Sequence, residues 1–236
     1  MTDEATEPSD EPPPEPGPPT TTVVLVRHGV TEHTSQRRFS GGLAGHNPPL
    51  SGEGRAQIEA VAAWLSPLRD QVAAIVASPV LRTRQSADLL GQAWDVSVTE
   101  EPGFAEMEFG SWEGLTFDEV GRDDLMTWFA SLDSRPGGHG ESLRSVEERV
   151  LAGLDRLLST YGGKTVVVVS HVTPIKTLVA HALDAPLVSS FRMQLTPASV
   201  TVLSFRAPDQ PGPPGAVRLF NALPPPQPPF VDHGGW

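Results

Sequence analysis

Val23-Val24-Leu25-Val26-Arg27-His28-Gly29 is the stretch on which the reading of the fold turns. A half-buried strand alternates apolar and polar residues. Four consecutive apolar residues instead describe a strand covered on both faces, as in a parallel sheet. Ala73–Ala77, Val166–Val169 and Val200–Phe205 repeat the pattern, Val96–Val98 suits a short edge strand, and Ala216–Phe220 is one more strand near the C-terminus. Helical periodicity fills the gaps. Ser51-Gly52-Glu53 opens a helix with Ile58, Val61, Ala62 and Leu65 on one face, and Pro67 ends it. Val80–Gln92 is the next helix, Glu141–Tyr161 a long one ended by Gly162-Gly163, and Thr173–Leu183 follows the third apolar strand directly. This alternation predicts an α/β fold: a three-layer, open, mostly parallel sheet with helices on both faces. No internal repeat is visible.

The 236 residues suit one main domain. They are 38% hydrophobic and 19% charged, with 25 Pro, 22 Gly, no Cys and a net charge of -12. Residues 1–20 hold six of the acids, no Lys or Arg, and a cluster of prolines, and read as a disordered tail or linker. Residues 21–222 are the expected domain, and 223–236 a Pro-rich C-terminal tail. The absence of Cys excludes disulfide scaffolds and thiol nucleophiles. No apolar run is long enough to span a membrane, and the start lacks a signal peptide's basic and apolar regions, so the expected location is cytoplasmic. The acidic balance argues against a nucleic-acid partner.

Ligands of open α/β sheets bind beyond the carboxyl ends of the strands. The first strand ends in Arg27-His28-Gly29, the second in Ser78-Pro79 with Arg82 one helical turn on, and the third in Ser170-His171. Each residue alone has an ordinary structural reading, as a salt-bridge partner or a satisfied core histidine. Together, two imidazoles and two guanidinium groups make a cationic cup suited to a phosphate dianion. Neutral imidazole is a competent nucleophile toward phosphorus, and flanking arginines disfavour its protonated form. A leaving alkoxide needs a carboxylic acid, for which Glu106, Glu108 and Glu113 are rivals that spacing does not separate.

Val26-Arg27-His28-Gly29 resembles the signature of the histidine phosphatase superfamily, in the branch that includes cofactor-dependent phosphoglycerate mutase. Arg38-Phe39-Ser40-Gly41 resembles its Arg-Phe-x-Gly loop, and Leu50 through Gln57 its Leu-[Thr/Ser]-x-x-Gly-x-x-Gln helix start. Ser78 through Ala87, Glu106 through Gly114 and Ser170-His171 match further blocks in order, so the likeness runs over residues 22–205. It implies a phosphoglycerate mutase-like fold. It implies His28 as the nucleophile that becomes phosphohistidine and Glu106 as proton donor. Arg27, Arg82 and His171 would hold the phosphoryl oxygens. Three further residues are candidate substrate or phosphate contacts: Thr31 at a polar position of the phosphate loop, Arg38 as a rim arginine with a structural role as its alternative, and Val172 directly after the second histidine. No cofactor and no metal are implied. The partner would be a small phosphorylated metabolite.

Many relatives carry Asn where Thr34 stands, and a Gly-rich run where this chain has Val172-Thr173-Pro174-Ile175-Lys176. Thr173 is expected to cap the following helix, with donation to phosphate as the alternative. This pattern is similar to an actinobacterial acid phosphatase module, like α-ribazole phosphatase, found behind a ribonuclease H domain. Among the other histidines, His33, His46, His181 and His233 are expected in surface or structural roles. His139 has the same expected role, with substrate contact at the pocket rim as its alternative. Trp64, Trp94 and Trp128 read as packing residues, Trp112 as a candidate pocket wall, and residues 31–49 and 115–140 as loops.

The expected function is a metal-independent phosphomonoesterase, acid phosphatase or α-ribazole phosphatase-like. Only 65 positions separate Glu106 from His171, too few for the large insertion that mutases of this branch carry there. Phosphoglycerate mutase and a non-catalytic phosphate-binding module are the alternatives, and the presence of all five candidate catalytic residues weighs against the second.

Overall fold

A computed structural model of the chain describes residues 20–207 and 209–226. The expected N-terminal tail, apart from Thr20, and residues 227–236 of the C-terminal tail, His233 included, lie outside that range. Six strands form one sheet in the order β3-β2-β4-β1-β5-β6. They are β1 (Thr21–Arg27), β2 (Val72–Ala77), β3 (Val98–Glu100), β4 (Thr165–Ser170), β5 (Val200–Phe205) and β6 (Gly215–Ala222). β1 to β4 run parallel, while β5 and β6 run antiparallel along one side. Val24 pairs with Val167 and Arg27 with Ser170, so the ends of β1 and β4 finish level with each other.

The helices are α1 (Glu32–Ser35), α2 (Gly52–Leu65), α3 (Leu81–Trp94), α4 (Arg122–Ala130), α5 (Leu143–Tyr161) and α6 (Val172–Ala182). Successive strand residues point to opposite faces, and each face has its own core. Val24, Val26, Ile75 and Val167 pack against Ile58 and Val61 of α2 and Leu90 and Trp94 of α3. Val23, Leu25, Val76 and Val168 pack against Val146, Val150 and Leu154 of α5 and Ile175 and Leu178 of α6. These are the three layers that the continuous apolar strands imply.

Ser51 caps α2 by accepting from the Gly54 N–H, and Ser142 caps α5 by accepting from the Ser145 N–H. Three expectations need correction. The stretch 31–49 contains the short helix α1, started by the Thr31 side chain accepting from the Thr34 N–H. The edge strand starts at Val98 instead of Val96, because Asp95 takes a left-handed conformation (φ 57°) and the Val96 N–H closes α3 onto the Gly91 carbonyl. The stretch 115–140 contains the helix α4, which buries only Trp128 and so presents no apolar stripe to read.

Candidate active site

β1, β2 and β4 deliver His28, Ser78 and His171 to one edge of the sheet, and α3 brings Arg82 across. The Cβ-free backbones of Gly29 and Gly54 are in contact there: a Cβ on Gly29 would lie 2.2 Å from the Gly54 carbonyl oxygen, and one on Gly54 would lie 2.1 Å from that of Val30. The loop after β1 is thereby seated on the first turn of α2.

His28 is 4% exposed. Its Nδ1 lies 2.8 Å from the Gly29 carbonyl oxygen, which can only accept, so Nδ1 carries the proton. Its Nε2 accepts from Arg82 Nε at 3.2 Å. The lone pair of a neutral ring is therefore held at Nε2, against a guanidinium. Burial, then the charges of Arg82 and Arg27, hold the His28 pKa well below the ordinary 6.5.

The ring of His171 stands 5.2 Å from that of His28 at an interplanar angle of 61°. Its Nε2 is 2.8 Å from Ser78 Oγ, and that oxygen accepts from the Val80 N–H at 3.4 Å. With the Ser78 hydroxyl as donor to His171 Nε2, the imidazole proton sits on Nδ1. Burial, followed by Arg82, keeps this ring neutral as well.

Arg82 is 1% exposed, and its Nη2 donates to the carbonyls of Ser40 and Gly41 at 3.0 and 2.9 Å. Arg27 Nη1 donates to the Leu195 carbonyl. Burial lowers both arginines to about 10, so both stay cationic at neutral pH. Three buried nitrogens of this group, Arg27 Nε, Arg82 Nη1 and His171 Nδ1, have no hydrogen-bond partner within the protein. Buried donors without acceptors are costly, and an anion in the cup would satisfy them.

The three rival carboxylates separate by position. Glu113 accepts from the Gly41 N–H with both oxygens, at 3.0 and 2.9 Å, and Glu108 accepts from the N–H groups of Leu43 and Ala44. Both hold the 41–44 loop. Of the three, only Glu106 lines the cavity that holds Arg27, His28 and Arg82. Its oxygens accept from the N–H groups of Met107 (2.7 Å) and Thr173 (3.4 Å). The cavity has about 840 Å³ of empty space, its open mouth included.

Arg149 fixes the backbone that carries Glu106, a role no sequence signal announced. It donates to the carbonyls of Gly103, Ala105 and Glu106 at 2.9, 2.7 and 3.0 Å. It also bonds both oxygens of Glu141 at 2.8 Å, and Glu141 in turn accepts from the Glu108 N–H. Lys176 also lines the cavity unannounced, 5% exposed on a helix otherwise apolar at Ile175, Leu178 and Val179.

The remaining residues sort as follows. Val172 and Arg38 line the cavity, and Arg38 is also tied to the Gly114 carbonyl and to Glu119. Thr34 lines it too, whereas Thr31 is fully buried, caps α1 and is not among the lining residues. Thr173 does not cap α6: His171 occupies that position, and the Thr173 N–H goes to Glu106. His139 lines a separate cleft with His46, Glu108 and Glu141. Trp128 packs in the core as expected and also walls the cavity, while Trp112, the expected wall, is not among the lining residues and packs against Trp128 at a ring distance of 5.7 Å. His33 packs against His46 at 5.6 Å. Among the described residues, no helix is long and apolar enough to cross a membrane.

Comparison with known proteins yields a match of residues 23–210 to the profile of the histidine phosphatase superfamily (branch 1). The chain is 40% identical over 204 residues to the bifunctional protein Rv2228c of Mycobacterium tuberculosis, a match covering 85% of this chain and 54% of that protein. It thus spans about half the length of this curated relative. It is 30% identical to phosphoserine phosphatase 1 of Hydrogenobacter thermophilus, over 77% of this chain and 85% of that one. Among solved structures, mycobacterial glucosyl-3-phosphoglycerate phosphatase Rv2419c superposes with a TM-score of 0.75 at 27% identity, over 85% of this chain and 99% of that one.

Proposed function

Because the chain belongs to the histidine phosphatase superfamily (branch 1), we propose that it hydrolyses small phosphate monoesters, without a metal, through a phosphohistidine on His28. One observation carries this reading: Arg82 Nε donates to an unprotonated His28 Nε2 inside a cup where Arg27 Nε, Arg82 Nη1 and His171 Nδ1 have no partner.

In the proposed first step the phosphate dianion takes hydrogen bonds from Arg27, Arg82 and His171. The Nε2 lone pair attacks phosphorus, the N–P bond forms, and the ester P–O bond breaks. The leaving alkoxide takes a proton from Glu106. Positive charge on the phosphorylated ring is relieved at Nδ1–H, which already faces the Gly29 carbonyl. In the second step water attacks phosphorus, the Glu106 carboxylate takes its proton, and the N–P bond breaks to return His28 neutral. The two arginines stabilise the charge spread over the phosphoryl oxygens in both steps.

Relatives are named for phosphoserine and for glucosyl-3-phosphoglycerate, which supports a small phosphorylated metabolite as substrate. Purified protein is expected to release phosphate from a chromogenic phosphate monoester in the presence of a chelator, and His28→Ala to be silent. Equal release by both proteins would contradict the proposal.

A further inference from the structure

An in-line displacement puts the leaving oxygen on the far side of phosphorus from His28 Nε2, where Glu106 has to reach it. The alcohol portion of the ester therefore leaves the cup along the Glu106 side of the cavity. Phe109 follows Glu106 by three residues, and its ring lies 6.4 Å from that of Trp128. Trp128 lies 5.6 Å from Phe191, and Phe191 lies 5.2 Å from Phe129, which is 38% exposed. Phe109, Trp128 and Phe191 all line the cavity, as does Leu143 at the start of α5. A run of rings thus leads from the segment of the proton donor to the surface. Trp128 is the one side chain that α4 buries, so a wall of the cavity is also what docks that helix.

Outside the phosphate cup, the polar side chains of the cavity are largely answered from within the protein. Ser190 Oγ donates to the Leu187 carbonyl, and Thr34 Oγ1 shares a hydrogen bond with Thr31 Oγ1. Arg38 bonds the Gly114 carbonyl and Glu119, and Lys176 is engaged as well. Arg37 is exposed to water. The cup has donors without acceptors, whereas the walls beyond it offer few free groups. A polyhydroxy alcohol would exchange its water there for few new hydrogen bonds, and each group left unmade costs free energy. An alkyl or aryl group gives up nothing of this kind and gains from burying apolar area.

We propose that the alcohol portion of the substrate is apolar, an alkyl or aryl group that packs along Phe109, Trp128 and Phe191. The proposal rests on the phosphatase reading for the direction in which the alcohol leaves. Phe109 and Trp128 are buried, while Phe191 is partly exposed. Phe191 therefore meets the incoming group first, and it is the residue that determines how much apolar length is read.

The test uses alkyl phosphates, whose leaving alcohols have nearly equal acidity, so that differences in kcat/KM report contacts instead of leaving-group chemistry. From ethyl through butyl to hexyl phosphate, kcat/KM is expected to rise about three-fold per methylene, the scale of burying each CH₂ in an apolar site. Propyl phosphate should exceed glycerol 3-phosphate about ten-fold or more. Phe191→Ser should cut the hexyl-to-ethyl ratio about five-fold or more, and Phe191→Leu, which keeps the wall apolar, should retain it within about two-fold. A flat series, glycerol 3-phosphate used as well as propyl phosphate or better, or an unchanged ratio in folded Phe191→Ser would overturn the proposal. The series in the unaltered protein decides by itself where that variant does not fold. A second readout separates this outcome from failure of the phosphatase reading. Calorimetric titration of His28→Ala with ethylphosphonate and hexylphosphonate needs no turnover. Hexylphosphonate should bind more tightly, and adding Phe191→Ser should shrink the difference. Equal binding of the two, or a difference that the second substitution leaves intact, overturns the apolar subsite, whereas silence of every ester with the binding pattern as expected indicts the phosphatase reading alone.

Discussion

At His28 the two ring nitrogens are told apart by partners that can play only one part each. The Gly29 carbonyl must accept, and the Arg82 guanidinium must donate. The tautomer follows from those two bonds. Burial and two arginines then keep the ring neutral well below pH 6.5. In ¹⁵N spectra, His28 is accordingly expected to keep the neutral Nδ1–H pattern at about pH 6, where an ordinary histidine is more than half protonated. An imidazolium signal at that pH would contradict the assignment. The partner of His28 is equally specific. Arg82→Lys keeps a cation but loses the planar fork that bonds His28, Ser40 and Gly41 together. Its kcat is expected to fall about a hundred-fold or more, the scale of losing a positioned transition-state donor. A kcat within about three-fold of the parent would show that charge alone suffices.

At the scale of elements, the strands and their ends were legible because continuous apolar runs such as Val23–Val26 and Val166–Val169 have few other readings. The convergence of His28, Arg82 and His171 followed from parallel strands ending at one edge. α4 was not legible, since it buries one tryptophan and shows no periodic stripe. The choice among Glu106, Glu108 and Glu113 was not legible from spacing either. It depends on which carboxylates are occupied by the N–H groups of a loop more than sixty residues away in sequence. Arg149 carries no sequence signal for the same reason, because its bonds to 103–106 and to Glu141 exist only after α5 docks. Arg149→Met is expected to lower kcat about ten- to a hundred-fold by loosening Glu106, with a smaller change in KM. A parental kcat in a protein of native circular dichroism would show that the loop needs no clamp. Gly29→Ala, whose Cβ would meet the Gly54 carbonyl at 2.2 Å, should displace the loop that carries His28. Its melting temperature is expected to fall together with activity.

For the molecule as a whole, the buried site links stability to protons. His28 and His171 have folded-state pKa values well below 6.5, near which they titrate when unfolded. Between those values the unfolded chain binds more protons, so stability is lost as pH falls below about 6.5. Denaturant midpoints are expected to drop from about pH 7.5 to about pH 5.5, and His171→Asn should lessen that drop by removing one of the two groups. An unchanged slope in the variant would assign the acid sensitivity elsewhere. Anion binding acts in the opposite direction. Inorganic phosphate at about a hundred times its dissociation constant should stabilise the fold by about 2.7 kcal/mol, and much less in Arg82→Ala. The most direct measurement of the central claim is a trapped intermediate. The protein is mixed with a phosphate monoester, quenched in alkali, digested and examined by mass spectrometry. A phosphoryl group on the peptide that carries His28, and no phosphorylated peptide from His28→Ala, is the expected result. Steady turnover with the phosphoryl group on another residue, or with retained activity in His28→Ala, would contradict it.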